Sequence, residues 1–344
     1  MKALFRSLAV LLALTLCLSG PALAASAEDA LAGSAAYILR AAAEPAVGSV
    51  GGEWAVLGLA RSGCDVPQTW WDRYYAVLAE EVAGREGSFN RNTDYARMVL
   101  ALTAMGRNPR NVAGYDLLAP LGNYDSALRQ GVNGAIWALI ALDCGGYDVP
   151  AAAAGTQATR ELYREAILSR QLEDGGWSPG SRAPADPDET AMALQALSPY
   201  RQDPAVAAAI EDGLACLSAI QNADGSFGSS SESCAQAVVA LCTLGIPLDD
   251  PRFVKNGASA LDALLTYRLA DGSFQHTMGD GANQMASEQG LYALAAVHRA
   301  AEGLSGLYDM TDPAAAPGTA PEQTVTAGEM TGLFCVFLVR SGLL

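Results

Sequence analysis

The feature that most limits how this chain can fold is a seven-residue turn that it repeats. Residues 171–177 read QLEDGGW, residues 221–227 read QNADGSF and residues 268–274 read RLADGSF. The turn glycines Gly175, Gly225 and Gly272 are spaced by 50 and 47 positions. Each turn leads into a helix of small apolar residues: ETAMALQAL at 189–197, SCAQAVVALCTLG at 233–245 and SEQGLYALAAV at 287–297. Fainter copies come earlier, as GREGSFNRNTDYARMVLALTAMG at 84–106, LRQGVNGAIWALIALDCG at 128–145 and GGEWAVLGLARSG at 51–63. Spacings of this size mark one supersecondary unit repeated along the chain. Helical patterns lie on both sides of each turn, so the unit is a helix pair, and six pairs are counted.

One helix of each pair is nearly apolar all round. Between Ala191 and Leu197 the only polar residue is Gln195. A helix without a polar face is buried on every side, so these segments form an inner layer and their partners an outer one. The inner set includes residues 53–62, a helix started by Asn92-Thr93-Asp94, and Val132–Asp143. The outer helices are expected over Glu28–Ala43, from Val66-Pro67 onward, over 110–120, over 157–170, over Pro204–Ile220 and over Pro251–Arg268. Trp70, Trp71, Tyr74, Tyr75 and Leu78 share one side at helical spacing and read as packing between the layers.

The Q-x-x-D-G-G/S-W/F turn, followed by Asp186-Pro187-Asp188-Glu189-Thr190-Ala191, resembles the prenyltransferase and squalene-cyclase repeat. The resemblance covers roughly residues 28–300. It implies an all-α fold, an (α/α)6 toroid of six inner and six outer helices around a cavity. Families with this repeat include class II terpene cyclases, protein prenyltransferase β subunits and transcobalamin-like corrinoid binders. The overall pattern is most similar to exported bacterial surface members.

The resemblance also implies candidate chemistry. Class II cyclases carry D-x-D-D-T-A here, and its middle aspartate protonates an alkene or epoxide. Asp188 then becomes the general acid with Asp186 and Glu189 beside it, since clustered carboxylates hold a proton when they cannot all ionise. This chain has Glu189 for the last aspartate, and only 7% of its residues are aromatic, whereas cyclases line the cavity with aromatic rings that stabilise carbocations. Read from the residues alone, Asp188 is a helix N-cap. Prenyltransferase-like zinc binding lacks ligands, since His276 and His298 are the only histidines and no C-x-x-C occurs. No metal and no cofactor are expected. The reading carried forward is binding, without catalysis, of a small molecule or cell-surface partner where the inner helix starts converge. Trp54, Asp94, Tyr95, Asn133, Trp137, Glu189, Phe227 and Glu288 are the residues expected there. Cyclase-like catalysis and corrinoid binding are the alternatives.

Residues 1–24 read as a cleaved secretory signal, with Lys2 and Arg6, an apolar run Leu8–Leu18, and Ala22-Leu23-Ala24. The chain is therefore expected to be secreted or held at the cell surface. Residues 25–303 make the repeat domain, 304–327 a Gly- and Pro-containing linker and 328–344 an apolar helix. Net charge is -16, and Lys255 is the only lysine besides Lys2. Such acidity opposes nucleic-acid binding. Cys216, Cys234 and Cys242 sit in apolar helices, where cysteine packs as a small hydrophobe, so free buried thiols are expected, with at most one or two bridges among the six cysteines beyond Cys17.

Overall fold

The computed structural model describes residues 27–311, apart from positions 181 and 183. The expected signal at 1–24, Cys335, the rest of the linker and the 328–344 helix lie outside the described residues. The chain is all-α. It begins with α1 over residues 27–41. There follow α2 (Glu53–Arg61), α3 (Gln68–Gly84), α4 (Asn92–Ala104), α5 (Tyr124–Leu128), α6 (Gly131–Cys144) and α7 (Arg160–Leu168). The second half holds α8 (Pro187–Leu197), α9 (Pro204–Ile220), α10 (Ser231–Leu244), α11 (Ala260–Thr266) and α12 (Gln284–Ala301).

The even-numbered helices pack in succession, α2 on α4, α4 on α6, α6 on α8, α8 on α10 and α10 on α12. Helix α12 also packs on α2, which closes the cycle of contacts. Helices α7, α9 and α11 each lie against the preceding or following even-numbered helix. The even-numbered helices are the more deeply buried set: all of α2 and most of α8 and α10 is buried, whereas α3 and α9 bury one side. Trp70, Trp71, Tyr74 and Leu78 on α3 are buried as their spacing predicts.

The three turns are the same structure. In each, the fifth-position glycine has positive φ: 86° at Gly175, 84° at Gly225 and 94° at Gly272. Its N–H donates back across the turn to Leu172, Asn222 or Leu269. Gln171 Nε2 donates to the carbonyls of Gly175 and Ala209, and Gln221 Nε2 does the same to Gly225 and Phe253. The aromatic residue then donates its N–H to the following helix, to Thr190 Oγ1 at 3.0 Å, Cys234 Sγ at 3.4 Å or Ser287 Oγ at 2.9 Å. Trp177, Phe227 and Phe274 are fully buried beneath these contacts. Each glycine faces the backbone of another segment: Asp212 of α9, Ala258 before α11, and Gly33 of α1. The last turn thus seats on the first helix, where Ser34 Oγ also donates to the Gly272 carbonyl at 2.9 Å.

Two expected outer helices differ. Residues 110–120 are not helical. They form a tight turn bridged between Val112 and Tyr115 and a 3-10 turn Ala119–Gly122, after which α5 begins. Left-handed backbone at Ala113 and Gly114 and the missing N–H groups of Pro109 and Pro120 break the expected run. Pro251–Arg268 is also not continuous. Asn256 and Gly257, both at positive φ, turn a hairpin between β1 (Val254–Lys255) and β2 (Ala258–Ser259), as Asn-Gly favours. Helix α11 follows, started by a Ser259–Asp262 capping box. The first part of the expected linker, 304–311, packs against helix ends: Arg61 donates to the carbonyls of Leu307, Gly306 and Asp309, and the Met310 N–H donates to Cys144. The described cysteines Cys64, Cys144, Cys216, Cys234 and Cys242 are free thiols.

A side chain on a turn glycine would meet both the strain of positive φ and a neighbouring carbonyl. Gly225→Ala places a Cβ 2.8 Å from the Ala258 and Ser259 oxygens and is expected to cost about 2–3 kcal/mol. Gly84→Ala, at a helix end with nothing close, should be neutral or stabilise by less than about 1 kcal/mol. Urea unfolding of both variants checks the contrast.

Candidate functional site at the helix starts

The amino-terminal ends of the even-numbered helices meet at one end of the molecule. The Gly51 N–H, just before α2, donates to Glu288 Oε1 of α12 at 2.7 Å. Arg97 of α4 pairs with Glu53 of α2 at 3.3 Å, and with Asp94 at 2.9 Å. The Thr93 N–H donates to Gln130 Oε1, next to α6. Asp188 of α8 lies close enough to Ser233 and Glu232 of α10 to feel both.

The cap of α8 is Asp186, whose side chain accepts from the Glu189 N–H at 2.9 Å. The capping role read for Asp188 therefore belongs two residues earlier. Pro187 fixes the first helical position, which leaves Asp188 in the first turn with its carboxylate free of the capping role. Its Oδ1 is buried and has no partner. Burial pushes the Asp188 carboxyl up to about 6; the Ser233 hydroxyl opposes this, and Asp186 and Glu232 add to it. Burial, then Asp186 and Asp188, push Glu189 up to about 7. Glu288 is fully buried and also rises to about 7, with burial outweighing the bond from Gly51. Burial raises Glu53 as well, against the pull of Arg97. Across from Asp188, His276 Nδ1 lies 2.9 Å from Glu232 Oε2.

The buried acceptors lacking a donor concentrate at this end. They include Asn92 Oδ1, Asn133 Oδ1, Asp188 Oδ1, Glu189 Oε1 and Glu288 Oε2. Buried polar atoms are seldom left unpaired. Four of the helices place a second layer one turn further in, because residues i and i+4 share a helix face. Asn133 is followed by Trp137, Asp188 by Met192, Glu232 by Gln236 and Glu288 by Tyr292. Trp54 packs 5.1 Å from Trp137 and 5.8 Å from Tyr292, between ring centres. Gln236 Nε2 donates to the Tyr292 hydroxyl at 2.6 Å, and Gln195 Nε2 donates to Gln236 Oε1 at 3.1 Å. An acidic rim therefore stands over a floor of rings and amides.

Of the residues expected at this end, Trp54, Asp94, Asn133, Trp137, Glu189 and Glu288 belong to these two layers or their ion pairs. Tyr95 and Phe227 do not. The Tyr95 hydroxyl holds the turn at 87–89, accepting from Phe89 N–H and donating to the Gly87 carbonyl. Phe227 is fully buried in its turn. Sequence reasoning missed Glu53, Arg97, Glu232, His276, Gln236 and Tyr292. Glu232 carried a signal, since it stands at the same position after its helix start as Asp188. Among the described residues no three His, Cys, Asp or Glu side chains are grouped to hold a metal ion.

Two measurements separate these roles. Asp186→Ala removes a cap and should cost about 1 kcal/mol, whereas Asp188→Asn should leave stability at pH 8 unchanged or raised, as read by urea unfolding. Glu189, Glu288 and Asp188 have folded values above their unfolded ones, so the folded state binds more protons between about pH 4 and 7. Stability therefore falls as pH rises through that window. The melting temperature should be higher at pH 5 than at pH 8, and Glu189→Gln should flatten the difference.

A search against protein-family models finds no match to this chain, and a search against curated proteins finds none.

Proposed function

We propose that the chain is an exported (α/α)6 toroid that binds a cationic, hydrogen-bond-donating ligand at the end where its inner helices start. The closed ring is supported by the cycle of contacts from α2 through α12 back to α2 and by the last turn seating on α1. The observation that carries the ligand reading is the set of buried oxygens without donors at Asn133, Asp188, Glu189 and Glu288.

Helix starts attract anions when their N–H groups are free. Here side chains already occupy several of those groups: Asp186 takes the Glu189 N–H, Asn283 takes the Ala286 N–H and Glu288 takes the Gly51 N–H. What remains facing a ligand is acceptor and negative charge. An ammonium or guanidinium group supplies the missing donors and restores the ionised form that burial disfavours. The rings of Trp54, Trp137 and Tyr292 beneath offer cation–π attraction, strongest over tryptophan. A basic peptide side chain or a polyamine fits this chemistry.

Tryptophan fluorescence during titration with spermidine and with a tri-lysine peptide tests the reading, because Trp54 and Trp137 lie in the floor. A saturable change is expected, weakened by salt and at least about tenfold weaker in the Asp188→Asn/Glu232→Gln double variant. Binding should tighten from pH 5 to pH 8 as the raised carboxyls ionise. No saturable response to either cation would defeat the proposal.

One observation favours a second reading. Asp188 is freed from capping and held near pH 6, as a general acid requires. Incubation with linear polyprenoids and their epoxides, followed by mass spectrometry, decides between the two. No cyclised product is expected. A product made by the parent chain and lost in Asp188→Asn would make this an enzyme of the cyclase type.

A further inference from the structure

The opposite end of the molecule carries a separate cleft of about 730 Å3. It opens at the carboxyl-terminal ends of α6, α8 and α10, under the 306–311 segment, with Gln195, Tyr200, Thr243 and Tyr308 in its wall. Its volume falls inside the roughly 300–1,000 Å3 range of small-molecule sites. We propose that this cleft is a second binding site, for a neutral polyhydroxylated ligand of about disaccharide size.

The charge balance argues for a neutral ligand. Asp143 is already paired with Arg160 at 2.7 Å and accepts from the Tyr200 hydroxyl at 2.7 Å. Asp309 accepts from the Thr311 N–H and hydroxyl. Arg201 at the rim offsets Asp309, so the wall presents both signs in equal number and no net charge for an ion to neutralise. The hydrogen-bonding balance argues for hydroxyls. Gln195 is 2% exposed and its Oε1 lacks a donor, while Tyr308 is 8% exposed and its hydroxyl lacks any partner among the described residues. One atom accepts only and the other donates or accepts. A hydroxyl, donor and acceptor at once, satisfies either of them. The carbonyls at the ends of α6 and α10 are already taken, Leu142 by Arg160, Cys144 by the Met310 N–H and Thr243 by the Ser198 hydroxyl, so the unpaired groups of the wall are the two side-chain atoms. Apolar wall comes from Ile140, Leu307 and the two tyrosine rings, matching the mixed polar and apolar faces of a sugar.

The two ends of the molecule are not independent in structure. Gln195 of the cleft wall donates to Gln236, and Gln236 donates to Tyr292, so an amide and hydroxyl chain crosses the centre between them. The chemistry at each end is nonetheless distinct, and failure of spermidine binding at the acidic end would leave this proposal standing.

Saturation-transfer-difference NMR of the full chain with maltose, cellobiose and N,N′-diacetylchitobiose at millimolar concentration is the test. Transfer to at least one of the three is expected. Tyr308→Phe should weaken apparent affinity roughly three- to tenfold, the range of one neutral hydrogen bond. Thr311→Trp, which fills the cleft from an exposed rim position, should abolish transfer with circular dichroism unchanged. Asp188→Asn should leave transfer intact. The proposal is overturned if none of the three sugars receives saturation, if both cleft variants leave transfer as it was, or if Asp188→Asn alone removes it.

Discussion

The structure depends on backbone meeting backbone at the turn glycines. Gly175, Gly225 and Gly272 each lie where a Cβ would strike a main-chain oxygen of the neighbouring segment. That closeness lets Gln171 and Gln221 bridge the turn and the next outer segment with a single amide. It also sets the buried aromatic residue over the start of the following helix. Each turn therefore fixes three things together: the end of one outer helix, the place of the next and the entry of an inner helix. The apolar stripe supplies the driving force, worth about 25 cal/mol per Å2 buried, but has no preferred register. The turns supply the register.

The same geometry gathers helix starts at one end and helix ends at the other. At the starts, acidic side chains answer unpaired N–H groups and then exceed them. The excess is what burial cannot neutralise: Asp188, Glu189 and Glu288 hold protons more tightly than free carboxylates do. At the ends, Arg160 donates to the Leu142 carbonyl in the last turn of α6, and a second arginine holds the loop that packs there. Arg61 is buried against the carbonyls of 306–309, and its guanidinium is lowered to about 10 by burial and by Arg299. The two ends thus differ in chemistry because a helix exposes donors at one terminus and acceptors at the other.

Much of the fold was legible because its signals are local. The D-G turns, the all-round apolar helices and the aromatic stripe of α3 each follow from short spacing rules. The break at 110–120 was less visible, because Ala113 takes a left-handed backbone that its residue type does not favour, whereas the break at 251–259 carried an Asn256-Gly257 hairpin signal that the helical reading of Pro251–Arg268 passed over. The candidate site was legible only in part. The D-x-D-E segment pointed at the right helix start, yet which carboxylate caps it depends on one hydrogen bond, from Glu189 N–H to Asp186. Glu53, Arg97 and His276 come from other repeats and meet the site only after the chain has travelled far in sequence. Tyr308 stood in a stretch without periodicity, so nothing local announced that it would pack beneath Trp137 at 6.1 Å.

Closure of the contact cycle has a kinetic side. Ser34 meets Gly272 across 238 positions, Gly51 meets Glu288 across 237 and Arg61 meets Asp309 across 248. Contacts between the earlier pairs span far less and can form as the chain emerges. The joining contacts wait for nearly the whole described sequence and carry the entropy of closing its longest loop. Until then α4 is the one even-numbered helix packed beside α2 among the described residues, and the flank that α12 covers stays open. An open solenoid protects such flanks with polar capping repeats; here α12, the last helix among the described residues, covers the flank of α2. Loss of α12 therefore does more than remove one helix, because it leaves two sticky surfaces at once, on α10 and on α2, far apart in the sequence.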